Sequence, residues 1–230
     1  MQPLIDHARS FGRLTAARSG EFARLAGGQS PQALFITCSD SRVIPALITG
    51  ARPGELFELR TAGNIVPPYT PGRPTSEAAT VEYAVDVLGV RDIVVCGHSH
   101  CGAVGALVRG EDLTPVPAVR DWLAHTVPDP RTMSTPNTRP GTPDSPDSPG
   151  TPDSPGTPDS SAPSAGDGDD PAVAQAVRRH VLAQLRTLRT YPCVARRAAD
   201  GELRLRGWYY EVHTGAVLAH RPDTDDFAAL

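Results

Sequence analysis

Three potential metal ligands follow two apolar runs of the chain. Cys38 ends the run at residues 33–38, and His98 and Cys101 come just after the run at residues 92–96. Two thiolates and one imidazole are a ligand set that zinc accepts at catalytic sites, where the fourth tetrahedral position stays open for water or substrate. Each part alone has an ordinary explanation, because a strand-end Cys is commonly a packed core thiol and a His-x-x-Cys pair arises by chance. Together they predict a site for one Zn²⁺ per chain.

An acidic and a basic residue directly after the first cysteine could complete this site. Residues 38–42 read Cys-Ser-Asp-Ser-Arg, which is difficult to explain as core packing. On an exposed loop, Asp40 and Arg42 would form a solvated ion pair of little energetic worth. Beside a metal, a guanidinium that grips both carboxylate oxygens would orient the carboxylate toward a water proton. The second interpretation makes Asp40 and Arg42 a catalytic pair.

The runs that carry these residues have the pattern of a parallel β-sheet. Strands are predicted at residues 33–38, 56–60 and 92–96, and a helix is predicted at residues 76–88, before Gly89. This alternation indicates an α/β fold with a mainly parallel sheet of about four or five strands flanked by helices. Functional residues of such sheets lie beyond the carboxyl ends of the strands. Both polar segments fall at that place.

The two ends of the chain also have regular patterns. Apolar residues recur at helical spacing before residues 27–28 (Gly-Gly), which predicts one or two amphipathic helices able to cover a core or a partner subunit. Asp170 and Pro171 are typical of a helix start. Apolar and aromatic residues at 207–212 and 216–218 predict a closing strand pair.

Residues 134–170 differ in composition from the rest of the chain. They repeat the sequence Gly-Thr-Pro-Asp-Ser and are rich in Pro, Ser, Asp and Gly. Such a segment buries too little apolar surface to offset its ordering entropy, and a longer loop costs little closure entropy. We predict a single domain spanning residues 1–230, interrupted by a disordered insertion at 134–170. A Pro-rich docking peptide is the alternative interpretation of the insertion.

Composition and charge argue against several classes of function. The chain has 230 residues, a net charge of −4 and a pI near 6.0, so we expect no binding to nucleic acid or anionic membranes. No stretch reaches the ~20 apolar residues of a membrane span, and the first residues lack a signal-peptide pattern. The sequence therefore predicts a cytoplasmic protein. In that compartment its four cysteines favour metal binding, catalysis or packing over disulfides.

The segments at residues 38–42 and 97–102 (Gly-His-Ser-His-Cys-Gly) resemble the signature of β-class carbonic anhydrases. The similarity continues through shorter matches and covers nearly everything outside residues 134–170. These shorter matches are residues 28–31, 53–57, 60–64, 82–85 and 207–210.

The resemblance implies a fold, an assembly and a reaction. The implied fold is a mainly parallel α/β sheet, in an obligate homodimer or higher even oligomer whose N-terminal helices pack on the partner subunit near the active sites. By motif position, Cys38, His98 and Cys101 hold zinc, and Asp40 with Arg42 forms the catalytic dyad. The expected reaction is the reversible hydration of CO₂ to bicarbonate and a proton by a zinc-bound hydroxide.

Further residues are candidates for substrate binding and proton transfer. The same matching implies Gln29 as a hydrogen-bond donor to substrate, and Phe57 and Tyr83 as pocket walls that a neighbouring subunit could contribute. Gly102 stands at a predicted helix start, where backbone N–H groups could face bicarbonate, or where a glycine is needed only for packing. His100, between two ligands, is either a proton shuttle or an ordinary surface histidine.

One departure from the family pattern concerns the role of Asp40. A subgroup that bicarbonate inhibits carries Trp three residues before the first zinc cysteine, and this chain has Phe35 there. The resemblance therefore favours the open subgroup, in which the aspartate does not bind the metal. Asp40 as a fourth zinc ligand at low pH remains the alternative.

Other substrates and roles remain open from the sequence. The same site could hydrolyse carbonyl sulfide or carbon disulfide, and a non-catalytic bicarbonate-sensing domain is a further alternative that the intact dyad disfavours. Because two thiolates cancel the metal's formal charge, we expect activity to rise above about pH 7. The remaining His and Cys residues are predicted to be solvent-exposed, packing or structural: His7, His125, His180, His213, His220, Cys96 and Cys193.

Overall fold

The strands form one mixed β-sheet. The computed structural model describes residues 1–126 and 170–230, and these parts of the chain contain β1 (Ala33–Cys38), β2 (Leu56–Thr61), β3 (Asp92–His98), β4 (Arg204–Tyr210), β5 (Val217–Arg221) and β6 (Asp226–Ala229). Their order across the sheet is β2-β1-β3-β4-β5-β6. The first four in this order are mutually parallel, and β5 and β6 are added antiparallel.

Helices flank the sheet and precede it. They are α1 (Gln2–Leu14), α2 (Ser19–Leu25), α3 (Pro45–Thr49), α4 (Ser76–Glu82), α5 (Gly102–Arg109), α6 (Pro117–Thr126), α7 (Pro171–Leu188) and α8 (Pro192–Ala199). A π-helical turn, Tyr83–Val87, continues α4, and a short 3₁₀ turn, Ala62–Asn64, follows β2. Within the described residues, none of the helices has the length and apolar content needed to cross a bilayer.

The predicted fold class is confirmed. Strand β1 has the predicted bounds, and β3 continues two residues further, to His98. Both are central strands, buried on both faces, which explains their nearly continuous apolar sequence. The sequence did not predict β6, which raises the strand count to six in the described parts of the chain. The predicted insertion at 134–170 lies, except for Asp170, outside the described residues, so the single-domain arrangement stays a prediction.

Helix α7 lies directly against the centre of the sheet. It buries Val177, Val181 and Leu185 on the face that meets β3 and β4. Glycines in the two strands permit this approach, because a Cβ at Gly97 would lie 2.5 Å from a Val177 methyl carbon and a Cβ at Gly207 would lie 3.0 Å from one of Val181. This close fit fixes where α7 lies relative to the carboxyl end of β3.

The N-terminal helices have no comparable packing. Neither α1 nor α2 buries a residue. In α1 the side chains of Leu4, Phe11 and Leu14 are 68%, 48% and 60% exposed, although the Phe11 ring contacts that of Phe22 in α2 at a centroid distance of 5.9 Å. An amphipathic helix normally buries its apolar stripe. The expected packing of these helices on a partner subunit stays a prediction.

Candidate metal centre

The three predicted ligands lie together at the carboxyl end of the central strands. Cys38 ends β1, His98 ends β3 and Cys101 directly precedes α5. Two sulfur atoms and one ring nitrogen lie within 4.8 Å of one another, and the exposed fractions of the three residues are 7%, 0% and 1%. Ligand atoms around a tetrahedral zinc lie roughly 3.3–3.8 Å apart. The cluster therefore has the composition and compactness of a metal site.

The His98 ring has the orientation that a metal ligand needs. Its Nδ1 lies 2.8 Å from the carbonyl oxygen of Ser99. Since a carbonyl oxygen can only accept, Nδ1 carries the proton and Nε2 carries the lone pair. Nε2 is buried and has no hydrogen-bond partner among the described residues. A buried, unpaired nitrogen is costly, and its place beside two thiols fits Zn²⁺ coordination.

The two thiols of the cluster influence each other's ionisation. The pKa of Cys38 is lowered, above all because the Cys101 side chain hydrogen-bonds to its sulfur. The pKa of Cys101 is raised by the same interaction and by burial. Ionising one sulfur thus opposes ionising the other. A bound cation would remove this opposition, because metal binding favours the thiolate form of both.

Asp40 is held by Arg42 beside the ligands. The guanidinium donates to both carboxylate oxygens, from Nη2 to Oδ2 at 2.7 Å and from Nε to Oδ1 at 3.0 Å, and the Arg42 backbone N–H donates to Oδ1 at 2.9 Å. These hydrogen bonds lower the pKa of Asp40 to about 2. Its Oδ2 lies 4.0 Å from His98 Nε2, which is too far for a hydrogen bond. The carboxylate therefore faces the ligand group without joining it.

Two arginines anchor the loops that follow β1 and β3. Arg42 Nη2 donates to the His100 carbonyl oxygen at 3.1 Å and so connects the two loops. Arg60, in β2, donates through Nη2 to the carbonyl oxygens of Cys38 at 2.9 Å and Asp40 at 2.8 Å. Arg60 thereby shapes the turn that presents the dyad. This role of Arg60 was not predictable from the sequence, because backbone acceptors leave no signal in residue types.

A buried histidine and a tryptophan reach the same region from helices α7 and α6. His180 is 2% exposed, and its Nε2 lies 2.8 Å from the Gly63 carbonyl oxygen. Trp122 Nε1 donates to the Ala62 carbonyl oxygen at 3.0 Å. The Gly63 N–H in turn donates to Cys38 Sγ at 3.4 Å. The sequence predicts His180 only as an exposed or packing residue, because a lone histidine on a helix gives no indication of its partner.

Three predicted substrate-binding residues do not gather around the cluster within one chain. Phe57 pairs with Leu34 in the β1–β2 register, which places it four residues before the end of β1, about 13 Å along the strand. Its ring packs on Tyr83 with centroids 5.9 Å apart. Gln29 is exposed and precedes the amino-terminal end of β1. Their contribution to a neighbouring subunit's site stays a prediction.

The other candidates occupy the surroundings of the cluster. Gly102 begins α5 and is exposed, and a Cβ there would meet no atom within 4 Å in the described residues, which gives no support to a packing requirement. The His100 ring lies 5.9 Å from the ring of His213, and a shuttle role for His100 stays a prediction. Cys96 and Cys193 are buried thiols, and burial raises the pKa of Cys96 to about 12.

Comparisons with known proteins agree with this geometry. A family model described as carbonic anhydrase matches residues 33–217. A carbonic anhydrase of Pseudomonas aeruginosa is 44% identical over 95% of this chain and 87% of its own length, and carbonic anhydrase 1 of Escherichia coli O157:H7 is 38% identical over 100% and 92%. The solved structure of the β-carbonic anhydrase CcaA matches with a TM-score of 0.78 and 36% identity, over 100% of this chain and 99% of that one. The chain belongs to the β class of carbonic anhydrases.

Proposed function

We propose that this protein is a zinc-dependent carbonic anhydrase that hydrates CO₂ reversibly to bicarbonate and a proton. One observation carries the proposal. The unpartnered Nε2 of His98 points into a buried group with two thiols, and the carboxylate of Asp40, clamped by Arg42, stands 4.0 Å from that nitrogen. Structural zinc sites almost always have four protein ligands, whereas catalytic zinc sites have three and leave the fourth position to water or substrate.

Cys38, His98 and Cys101 would hold the zinc ion. When bound, zinc supplies a Lewis acid that lowers the pKa of a coordinated water molecule toward neutrality. The two Cys ligands, as thiolates, donate more charge than imidazoles and so reduce this acidity. Activity is therefore expected to increase as the pH rises above about 7.

Asp40 and Arg42 would orient the reacting water molecule. Arg42 engages both oxygens of the carboxylate, so the position of the remaining acceptor lone pairs is fixed. Asp40 stays outside the ligand group and can accept a hydrogen bond from a water molecule at the open position. We infer an open site with Asp40 as a catalytic residue and not as a fourth ligand.

The site is proposed to be completed by a second copy of the chain. Helices α1 and α2 bury nothing within their own subunit, and Gln29, Phe57 and Tyr83 lie toward the opposite end of the strands from the cluster. If these residues bind substrate, they must do so at the centre of a partner. Both observations support an even-numbered oligomer, with a dimer as the smallest unit.

Stopped-flow measurement of CO₂ hydration tests the proposal. The protein is analysed for bound metal and then assayed from about pH 6 to pH 9, across the range in which a metal-bound water is expected to titrate. We expect one zinc ion per chain and turnover that increases with pH. Protein that carries zinc but shows no turnover at any of these pH values would contradict the enzymatic function.

A further inference from the structure

The turn at Ala62–Asn64 connects the metal cluster with the helices around it. Gly63 contributes a backbone N–H that donates to Cys38 Sγ at 3.4 Å, a normal length for a hydrogen bond to sulfur. Gly63 has a left-handed φ of 73°, which a side chain would strain. A Cβ there would also lie 3.3 Å from the Ala103 side chain. The turn thus fits closely beside the ligands.

Both peptide groups that flank the Gly63 Cα are held through their carbonyl oxygens. Trp122 Nε1 donates to Ala62 O at 3.0 Å, and that oxygen belongs to the same peptide group as the N–H that faces the sulfur. His180 Nε2 contacts Gly63 O at 2.8 Å. A donor on the carbonyl of a peptide group polarises its N–H and strengthens the bond that this N–H makes. Trp122 therefore acts on the strength and direction of the N–H to sulfur contact, and His180, through the next peptide group, fixes the orientation of the turn that carries this N–H.

Helix α7 contacts the chain at two points, one within this turn at Gly63 and one just after it at Val66. His180 and Gln184 are one helical turn apart and share a face. Gln184 Oε1 accepts from the Val66 N–H at 2.8 Å, while its Nε2 lies 3.5 Å from His180 Nδ1. Because Nε2 of His180 faces a carbonyl oxygen, that nitrogen must carry the proton. Burial lowers the pKa of His180 to about 4, so the ring is neutral and keeps this single-donor form at neutral pH.

We propose that His180 and Trp122 are positioning residues, which hold the Gly63 N–H against the Cys38 sulfur and thereby adjust the bond between this sulfur and the metal. The proposal rests on the proposed function only in requiring that a metal binds at the cluster. An N–H that donates to a thiolate withdraws charge from the sulfur. Without it, Cys38 is less firmly oriented and donates more charge to the metal, so the metal is a weaker Lewis acid. Partners of metal ligands commonly have such effects.

Four variants separate this role from simple packing. His180→Leu removes the donor to Gly63, and His180→Gln restores an N–H donor on a side chain of similar reach. Trp122→Phe keeps an aromatic ring but loses the indole N–H. Leu188→Ala is the control, because Leu188 is fully buried on the same helix in the core cluster away from the metal ligands.

Two readouts report on the metal directly, and one reports on turnover. The near-ultraviolet thiolate-to-metal band of the Co²⁺-loaded protein measures charge donation by sulfur. The rate of Zn²⁺ transfer to a chromogenic chelator measures how firmly the site holds the metal. The pH profile of CO₂ hydration locates the pKa on which activity depends.

We expect His180→Leu to shift the cobalt band and to release zinc about 10- to 100-fold faster. The pH profile of CO₂ hydration should move to higher pH. His180→Gln should recover most of each change, and Trp122→Phe should cause smaller changes in the same direction. Leu188→Ala should lower the unfolding midpoint and leave all three readouts as in the parent.

The inference is overturned if His180→Leu and Trp122→Phe both retain the band, release rate and pH profile of the parent. If His180→Leu does not fold, Trp122→Phe decides alone, because it removes the indole N–H donor and keeps an aromatic ring at a position that is only partly buried. A parent protein that binds neither Co²⁺ nor Zn²⁺ would refute the proposed function together with this inference. If the parent binds both metals and hydrates CO₂, and the variants match it in all three readouts, the inference is refuted while the proposed function stands.

Discussion

The metal cluster and the N-terminal helices differ in how much of their environment this chain supplies. Around the cluster, backbone carbonyls, arginines and helix α7 hold the ligand loops in place, and Cys38, His98 and Cys101 are buried. In α1 and α2 no residue is buried, and Leu4 and Phe11 are exposed. The residues of the metal cluster are thus held in place within one subunit. The other region carries an exposed apolar stripe, for which we propose a partner subunit.

This difference indicates how the two regions contribute to a working enzyme. The proposed ligands and the proposed dyad belong to the self-contained region, so metal binding should need only the folded chain. Substrate access and the pocket wall depend on the oligomer, if Gln29, Phe57 and Tyr83 act on a partner's centre. Substitutions in the first region should alter metal binding or chemistry, and substitutions in the second should alter assembly first.

The largest effect is expected from removing a ligand of the cluster. In His98→Ala, bound zinc should be lost and CO₂ hydration should fall by at least about 1,000-fold, because the metal supplies several kcal/mol of stabilisation to the reaction. Metal analysis by mass spectrometry and stopped-flow assays measure the two losses. The oligomeric state, measured by analytical ultracentrifugation, should be unchanged. Retention of a full zinc equivalent would contradict the assigned ligand set.

A smaller loss is expected when the dyad is broken and the ligands remain. Arg42→Ala should reduce kcat about 100-fold while zinc stays bound, because positioned acid–base groups contribute at least this much. Arg42 holds the pKa of Asp40 at about 2, below the ordinary value of 3.8. The ionised Asp40 carboxylate therefore contributes to the stability of the fold above about pH 4, and this contribution is lost as the pH falls toward 2. Asp40 therefore remains ionised at neutral pH.

The loss in Arg42→Ala should accordingly come from a misdirected carboxylate and not from its protonation. Arg42→Lys is the matched control, since it keeps the charge but cannot grip both oxygens. If Arg42→Lys were as active as the parent, the bidentate geometry would have no catalytic role. Zinc content and the pH profile are measured for both variants.

The second region can be tested by placing a charge on the apolar stripe of α1. Leu4→Glu should weaken subunit association by about 10- to 100-fold, because burying a leucine contributes roughly 1.5–3 kcal/mol. Arg13→Gln is the control, as it changes the net charge equally on the opposite face of α1 and should leave association unchanged. Sedimentation at several protein concentrations measures the effect. A stable oligomer in Leu4→Glu would exclude this stripe as the interface.

The last prediction concerns the acid stability of the scaffold around the cluster, and neither activity nor assembly. The pKa of His180 falls from 6.5 to about 4 on folding because the side chain is buried. A depressed pKa contributes stability that is present above pH 6.5 and is lost as the pH falls toward 4, up to about 3 kcal/mol in total. Only the parent loses this stability, so the difference in unfolding free energy between the parent and His180→Gln should become smaller as the pH falls from 6.5 to 4.

Urea unfolding at several pH values measures this narrowing. His7→Gln is the control, because His7 is exposed and its substitution replaces a histidine by glutamine outside the core. A constant difference for His180→Gln would mean that His180 is not buried as a neutral ring.

The parts of the fold that follow from local patterns were predictable from the sequence. Strand β1 is a continuous apolar run with clear ends, and α7 begins at Pro171 with the Asp170 side chain accepting from the Ala172 N–H at 2.9 Å. The convergence of Cys38 and His98 followed from the rule that carboxyl ends of parallel strands meet at one edge of the sheet.

The parts that depend on distant backbone contacts were not predictable. Strand β6 has four residues and exists because β5 offers it hydrogen bonds. The π-helical turn after α4 was predicted only as helix. His180 and Gly63 are 117 residues apart, and a histidine's carbonyl partner cannot be inferred from residue types. Sequence patterns locate the proposed ligands, whereas folding determines which groups hold them in place.

The glycine in β3 also constrains how this sequence can change over evolutionary time. Gly97 leaves no room for a methyl group because Val177 and Val181 occupy that space. A side chain at position 97 becomes acceptable only if the facing positions of α7 shrink. We therefore expect residues 97, 177 and 181 to vary together among relatives, so that a substitution harmless in one relative would be disruptive when transferred singly into another.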